Sequence, residues 1–505
     1  MKATEKSQEV IQVLAPDKAP FWKLLVWPLG GSGRMLWFLL MMFLSFYATG
    51  VAGMGVVLVG TLITGTRTFD GITDPIMGLL IDKTNGRFGK IRVFVIGSWI
   101  VMAISAYLLF YTTHNVQEGT LRIIYFAIVY ILYMMGYSTL GMALETANPI
   151  ITKDPKQRPV IFGLSMIYTT LAGTAFGMYM PIAAARHMGF GLGLFHELLF
   201  AATGLSIVMI GLAMIAIWKL DRVENFSTTG SKEKFTFKDM LATLKGNRPL
   251  QMFLVTNITD RLAQNVANNS VVGVMIFGII IGDFAVSGVM TGLMLIPNMI
   301  VLLLGIKIVG KFGAKKSYIY AIFSAIFFAI LLPMLLIFGD PTQIRFDRIG
   351  IMTVLFVILN AGFSVSRLFG NMCVGPMRPD IIDYETYRTG KFAPGAVVAV
   401  DSFIDKFVSQ LYQVIVAVSV AAIGFTDTLP DLDTPLTTPI FVLAIFLMFG
   451  VLIISWIVSL VAMKFYPLDK EKMVEVQAEL KRRREETTLE ALRNDEDLAS
   501  TSARN

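Results

Sequence analysis

One apolar stretch of the chain, beginning near residue 54, contains the run Arg67-Thr-Phe-Asp70-Gly-Ile-Thr73-Asp74-Pro75. Arg67, Asp70 and Asp74 are spaced i, i+3, i+7 and share one helix face, with Thr73 three residues after Asp70. Two carboxylates one turn apart in a low dielectric repel each other. They must share a proton, bind a cation or be neutralised by nearby bases. A small hard cation such as Na+ takes several oxygens, and two carboxylates with a hydroxyl supply most of a shell. The spacing therefore predicts a sodium or proton site at Asp70, Thr73 and Asp74. The competing reading is an Arg67–Asp70 pair that only fastens helices. A second group lies far along the chain, where Asp401 and Asp405 are one turn apart and Lys406 follows. An interior Lys there can neutralise an acidic face contributed by the other half of the chain and so link cation binding to cavity closure. The alternative is a local salt bridge.

Other ionisable residues in apolar stretches are Arg34, Glu145, Asp260, Arg261 and Arg367. Such groups cost roughly 2.5–3.5 kcal/mol each on insertion scales. The near balance of acids and bases predicts pairing around a wet cavity. The amides of Gln264, Asn265, Asn268 and Asn269 suit hydrogen bonds to a hydroxyl-bearing ligand or, equally, bonds between helices. Trp37 or Tyr137 is a candidate to stack on a ring of such a ligand.

These residues need an element to carry them, and composition says which. Of 505 residues, 55% are hydrophobic and only 16% charged, against about 25% charged in a soluble domain. Mean hydropathy is +0.66. A water-soluble globule and a disordered or fibrous chain are both excluded. Apolar stretches begin near residues 30, 54, 92, 121, 158, 194, 249, 284, 316, 350, 395 and 438, each long enough for a span of about 20 residues. The expected fold is an all-α membrane protein with twelve transmembrane helices. The first twenty or so residues, with Lys2, Glu5, Lys6, Glu9, Asp17 and Lys18, are too polar for a signal peptide, so the first span is expected to stay in the mature protein. The single cysteine, Cys373, excludes an intramolecular disulfide framework.

Lys and Arg gather in the N-terminal segment, in alternate connections and in the tail. Only Arg122, Arg186, Arg345 and Arg348 fall in the opposite loops. Both termini are therefore expected on the cytoplasmic side. The net charge of +7 reads as a topology signal beside anionic lipid headgroups, not as a nucleic-acid footprint. The predicted division is a cytoplasmic N-terminal segment (1–29), a six-helix bundle (30–220), a cytoplasmic central loop (221–248), a second six-helix bundle (249–466) and a charged cytoplasmic tail (467–505). Within the central loop, Phe237, Met240, Leu241 and Leu244 have the spacing of a short amphipathic helix. Met473, Val476 and Leu480 form one potential face in the tail, and residues beyond about 490 are expected to be disordered. Six plus six spans around a polar linker is the plan of the major facilitator fold, in which two halves rock about a site near mid-membrane. Between the second and third spans, Gly86 and Gly89 permit a tight turn, and Asp82, Arg87, Lys90 and Arg92 look like a gate network on the inner side. No GxxxxGK[ST] loop occurs, which argues against direct ATP drive. His114, His187 and His196 form no zinc motif, and no sizeable soluble domain is left to house an enzyme.

The stretch Leu58-Val59-Gly60-Thr61-Leu62, then Arg67, Asp70, Asp74-Pro75-Ile76-Met77-Gly78, then Asp82-Lys83-Thr84 with Arg87, Gly89-Lys90 and Arg92, resembles the glycoside–pentoside–hexuronide:cation symporters, the melibiose-permease branch of the major facilitator superfamily. So do Asp383-Tyr384-Glu385-Thr386-Tyr387-Arg388-Thr389-Gly390-Lys391, the loop with Pro149, Thr152, Asp154 and Arg158, and the exit Tyr466-Pro467-Leu468. The matches run from about residue 30 to 470. The resemblance implies a twelve-helix symporter moving a sugar with Na+, H+ or Li+. Asp70 and Asp74 match the family's cation-binding acids. Thr73 stands where the melibiose carrier has an Asn, and Ser138 where it has a Thr near the cation. Lys406 matches the family's Lys in the eleventh span. The chain departs where that carrier holds its sugar: Met35 beside Arg34, and Gly141, stand where it has sugar-binding acids. Met166 stands where it has an Arg, and Glu145 follows one turn after Gly141. Glu145 is a candidate to replace one acid, and Arg34, Arg261 and Arg367 would suit an anionic sugar such as a hexuronide. The candidate substrate-binding set is Arg34, Trp37, Tyr137, Glu145, Asn265, Asn268 and Arg367, with Arg67, Asp401, Asp405 and Lys406 pairing charges for coupling. No cofactor is expected beyond the coupling ion, Na+ or H+. The expected partners are a small sugar or glycoside and the lipid bilayer of the plasma (inner) membrane, and the expected state is a monomer. Two other readings are a cation-coupled lysolipid carrier, since a lysophospholipid symporter branch shares the Asp-Pro stretch, and a non-transporting sensor with a carrier fold.

Overall fold

A computed structural model describes residues 18–84, 88–152, 157–218, 220–221, 244–390, 394–483 and 485–486. Some side chains inside these stretches, those of Asp70, Asp74 and Asp82 among them, lie outside the described residues, as does Arg87. Among the described residues all regular structure is helical, as a chain of this composition requires. Lipid offers no partner for backbone polar groups, so each span must satisfy its own.

The helices, in chain order, are α1 (Phe21–Val51), α2 (Val56–Lys83), α3 (Ile91–Thr112), α4 (Thr120–Ile151), α5 (Arg158–Arg186) and α6 (Leu192–Ile217). Then come α7 (Arg248–Ala267, continued by Ser270–Ile280), α8 (Ala285–Phe312), α9 (Ala314–Phe338), α10 (Ile351–Thr389), α11 (Val400–Ala422) and α12 (Thr438–Phe465). Among the described residues, 10 helices are long and apolar enough to cross a membrane, or 11 if the bent α7 is one span. The exception is α2, whose apolar part is only Val56–Arg67, because the rest carries Asp70, Asp74, Asp82 and Lys83. A helix so charged belongs in a bundle interior or beside water, away from lipid.

The break in α7 has a local cause. Asn269 Oδ1 accepts from the Val271 N–H at 2.9 Å and so caps a new helix start. The two segments meet at 51°. Both α1 and α7 contain a π turn, over Tyr47–Val51 and Val274–Ile280, a local geometry common at functional sites.

The chain forms two compact units. The first comprises Met1–Ser231, Asn269–Gly292 and Gln413–Leu443. In it α3 and α4 approach closely at Gly136, where a Cβ would sit 2.9 Å from the Met102 nitrogen and the Ser98 carbonyl oxygen. Tyr130, Tyr133 and Tyr137 stack in a row along α4, at centroid distances of 6.1 and 6.3 Å. Arg122, nearly buried, donates to the Ala52 carbonyl at 2.6 Å and the Val116 carbonyl at 2.7 Å, tying two interhelix turns together. Residues 269–292 and 413–443 join this unit through Ser270 Oγ donating to the Met42 carbonyl (2.7 Å) and the Val56 N–H donating to the Thr426 carbonyl (2.9 Å). The start of α3 is held by Asp221, just past α6. Its carboxylate accepts the N–H groups of Lys90 (2.9 Å), Ile91 (3.0 Å) and Arg92 (2.9 Å), and also pairs with Arg92 Nε at 3.2 Å. Gly89, at φ +91, leaves room for it: a Cβ there would lie 2.1 Å from Asp221 Oδ2.

The second unit comprises Lys232–Asn268, Leu293–Tyr412 and Ala444–Asn505. The Asn247 side chain caps α7 by accepting from the Leu250 N–H and donates to Glu385 Oε2 at 2.8 Å, while Glu385 pairs with Arg388 at 2.7 Å. The Asp-Tyr-Glu stretch thus fastens α10 to the start of α7. Past Tyr466 the tail forms a helix over residues 470–483, here α13. Met473, Val476 and Leu480 are buried on its inner face, as their spacing predicts. Arg483 Nη1 donates to the Tyr387 carbonyl at 3.0 Å and Lys470 Nζ to the Lys311 carbonyl at 3.1 Å. The amphipathic run at Phe237, Met240 and Leu241, and the segment beyond residue 490, lie outside the described residues.

Candidate functional site

Each unit contains a cavity with polar side chains in its wall. In the first unit it has a volume of about 530 Å³, with Trp27, Gly31, Arg34 and Met35 from α1, Tyr137, Gly141, Glu145 and Asn148 from α4, and Phe162, Ser165 and Thr169 from α5. The Arg34 guanidinium lies over the Tyr137 ring at 4.4 Å and reaches the Tyr137 carbonyl at 3.5 Å. It also fills the gap above Gly141, where a Cβ would come within 2.2 Å of Nη1. Trp27 Nε1 donates to Asn148 Oδ1 at 2.7 Å, fixing an indole at the cavity wall. Glu145 is exposed, one turn beyond Gly141. Among the described residues neither Arg34 nor Glu145 has an ion-pair partner.

Trp37 needs correction. It is wholly buried, 0% exposed, and its carbonyl accepts from the Tyr133 hydroxyl at 3.1 Å. Three residues beyond Arg34 on α1, it faces the interior of the unit, and Trp27, Tyr137 and Phe162 supply the aromatic wall instead.

The predicted cation residues sit on α2 and α4. Thr73 is buried and Ser138 half-buried. The backbone carrying Asp70 and Asp74 is helical, while their side chains lie outside the described residues. Arg67 lies over the Phe38 ring at 5.7 Å and donates to the Tyr130 hydroxyl at 3.4 Å, so it touches both α1 and α4. Of the predicted gate residues, Lys90 and Arg92 meet Asp221, a residue that the sequence places in the central loop. The Asp82 side chain and Arg87 lie outside the described residues.

The cavity of the second unit has a volume of about 520 Å³ and is lined by α7 (Asn257, Asp260, Arg261, Gln264, Asn265, Asn268), α10 (Asn371, Val374, Gly375, Arg378) and the first half of α11 (Asp405, Ser409, Gln410). Among the described residues no aromatic side chain lines it. Arg261 Nη1 pairs with Asp405 Oδ2 at 2.6 Å. Asp401, next to the cavity and 3% exposed, pairs with Arg378 and accepts from Asn257 Nδ2 at 3.0 Å. Buried Asp260 accepts from Trp456 Nε1 (2.8 Å) and Gln264 Nε2 (2.6 Å), and Gln264 and Asn371 exchange amide bonds at 2.7 and 3.0 Å. Asn265 spends its amide on the Ser409 carbonyl at 3.2 Å. Asn268 reaches the cavity at the helix break, while Arg367 is outside its lining and lies over the Phe363 ring at 5.6 Å. Lys406 is half-buried. The base that the sequence conceals is Arg378, because the flanking Pro376 and Pro379 suggest a loop. In fact α10 runs through both prolines for 39 residues, as membrane helices tolerate.

A bundle of membrane helices with ionisable residues around its cavities has the architecture of the major facilitator fold. Solved structures agree. A point-mutant form of the nucleoside transporter NupG matches with TM-score 0.59 at 16% identity over 88% of this chain and 100% of that one. A bacterial homologue of the human drug peptide transporters matches with TM-score 0.58 at 11% identity over 92% and 100%. Residues 31–470 match the profile of the family described as MFS/sugar transport protein, and the chain belongs to it. It is a membrane protein of a symporter family, not an enzyme. Relatives include the uncharacterized symporter YnaJ of Bacillus subtilis (24% identical, covering 87% of this chain and 90% of the relative). The isoprimeverose transporter of Lactiplantibacillus pentosus is 25% identical over 72% of each. The putative glycoside/cation symporter YagG of Escherichia coli is 26% identical over 72% and 74%.

Proposed function

We propose that the protein is a secondary active transporter that carries a sugar or glycoside together with Na+ or H+ across the inner membrane by alternating access, as a monomer with both termini in the cytoplasm. The observation that carries this reading is the cavity of the first unit. Its volume of about 530 Å³ is in the range of small-molecule sites. Its wall combines aromatic surface with a few convergent polar groups, the combination that suits a ring bearing hydroxyls. Arg34, Tyr137 and Glu145 are assigned to the sugar.

Asp70 and Asp74, with Thr73 and Ser138, are assigned to the coupling ion. Neutralised by the cation, the two acids cease to repel each other, and sugar affinity rises. Linkage then requires sugar to tighten cation binding by the same factor. Arg67, Asp401, Asp405 and Lys406 are assigned to charge pairing during coupling, and Asp82, Arg87, Lys90 and Arg92 to a gate on the cytoplasmic side. The relatives named for glycosides and for isoprimeverose support a sugar cargo.

The test is counterflow of labelled glycosides in proteoliposomes with and without a Na+ or H+ gradient. Wild type is expected to accumulate sugar only with the gradient, and Asp74→Asn to abolish that accumulation while leaving exchange measurable. Full gradient-driven accumulation in Asp74→Asn would remove the cation assignment.

A further inference from the structure

The cavity of the first unit holds an arginine and a glutamate that do not pair with each other. Arg34 and Glu145 both line it, yet among the described residues neither lies within ion-pair distance of an opposite charge. In a low-dielectric setting two such groups normally collapse onto one another. Two features hold Arg34 away. Its guanidinium rests on the Tyr137 ring at 4.4 Å, and it occupies the space left by the missing side chain of Gly141, where even a Cβ would approach Nη1 to 2.2 Å.

Burial separates the needs of the two charges. Glu145 is exposed and open to solvent, whereas Arg34 is only half-exposed. An arginine has donors and no acceptor. A neutral hydroxyl meets its hydrogen bonds and leaves its charge uncompensated, whereas a carboxylate meets both through a bidentate contact. The carboxylate of Glu145, acceptor-only, suits the ring hydroxyls at the other end of the same molecule.

We infer that the transported sugar carries a carboxylate which Arg34 binds, and that Gly141 is the positioning residue that keeps this guanidinium free to do so. The inference rests on the sugar-transport reading above and adds the charge of the cargo. A side chain at 141 pushes Arg34 off the Tyr137 ring toward Glu145, where the two cancel and the acid-binding site is lost.

The experiment uses purified full-length protein in Na+ buffer with matched glycosides differing only at C6: methyl β-glucuronide against methyl β-glucoside, and methyl β-galacturonide against methyl β-galactoside. Binding is read by ligand-induced thermal shift and by inhibition of counterflow. The acidic member of at least one pair is expected to bind at least tenfold tighter than its neutral partner. Arg34→Gln is expected to erase that ratio, and Gly141→Ala to reduce it at least fivefold while the unliganded melting temperature stays near wild type. The acid-to-neutral ratio is a readout that general loosening of the bundle does not move. Equal or tighter binding of the neutral members, or an undiminished ratio in Arg34→Gln or Gly141→Ala, overturns the inference and leaves sugar transport standing. If no glycoside of either kind binds or exchanges, the transport reading falls and takes the inference with it.

Discussion

Asp221→Ala is expected to destabilise the first unit more than any surface substitution near it. The carboxylate is fully buried, 0% exposed, and holds the first N–H groups of α3 together with the partly buried Arg92 guanidinium (17% exposed). Losing a helix N-cap costs about 0.5–2 kcal/mol. Removing one partner of a buried ion pair costs about 3–5 kcal/mol. The two terms overlap, because the same carboxylate does both jobs, and Arg92 regains some water, so the net loss is about 3 kcal/mol. A cooperative unit of about 300 residues has an unfolding entropy of about 0.6 kcal/mol per kelvin at about 2.1 cal/mol/K per residue. By the same relation the midpoint should fall by about 5 °C. Asp221→Asn keeps one acceptor oxygen and should lose about half as much. The assay is thermal unfolding of purified protein in detergent, with Arg92→Gln as the second arm of a double-mutant cycle. If Asp221→Ala melts within about 1 °C of wild type, or if the two substitutions simply add, Asp221 is not the fastener described above.

Two further outcomes are expected. Arg378→Gln strands the buried Asp401 carboxylate, which keeps only Asn257 as a described hydrogen-bond donor. It should cost about 2–3 kcal/mol after discounting for the exposure of Arg378 to the cavity, and Asp401→Asn added to it should restore much of the loss, read by denaturation of the double variant against each single one. Val476→Asp places a charge where the side chain is 0% exposed. It should release the tail helix, a change visible as faster trypsin cleavage at Lys470 and Lys472 with the spans intact.

The span plan is legible in the sequence because hydropathy is a property of long stretches, and a single misjudged residue does not move it. Local chemistry is legible where spacing alone decides, as in the tail, where Met473, Val476 and Leu480 are buried together. It is hidden where a side chain's role depends on a partner distant in sequence. Asp221 resembles the first residue of a polar linker, and nothing local says that its carboxylate reaches back 131 residues to Lys90. Arg378 is masked by its flanking prolines, which end helices in water and not in this one. Asn269 shares the polarity of its amide neighbours and so suggests a hydrogen-bonding surface, whereas its oxygen starts a new helix. Trp37 misleads because several apolar faces of α1 look alike in sequence, and only packing separates the cavity wall from the core.

The two cavities also differ in a way that assigns them unequal work. In the second unit every described acid lining or flanking the cavity already has its cation or its donors: Asp405 has Arg261, Asp401 has Arg378 and Asn257, and Asp260 has Trp456 and Gln264. A ligand entering there competes with bonds that the protein has already made, with Asp405 Oδ1 and Arg378 Nε the buried lining atoms left without a described partner, and among the described residues it finds no aromatic surface in return. In the first unit Arg34 and Glu145 are both left without a described ion-pair partner beside aromatic rings, so a ligand there completes contacts and disrupts few. Binding free energy is the surplus over such disruption. Discrimination between sugars should therefore respond steeply to substitutions at Arg34, Gly141 and Glu145, and weakly to isosteric ones at Gln264 and Asn371, whose amides already satisfy each other.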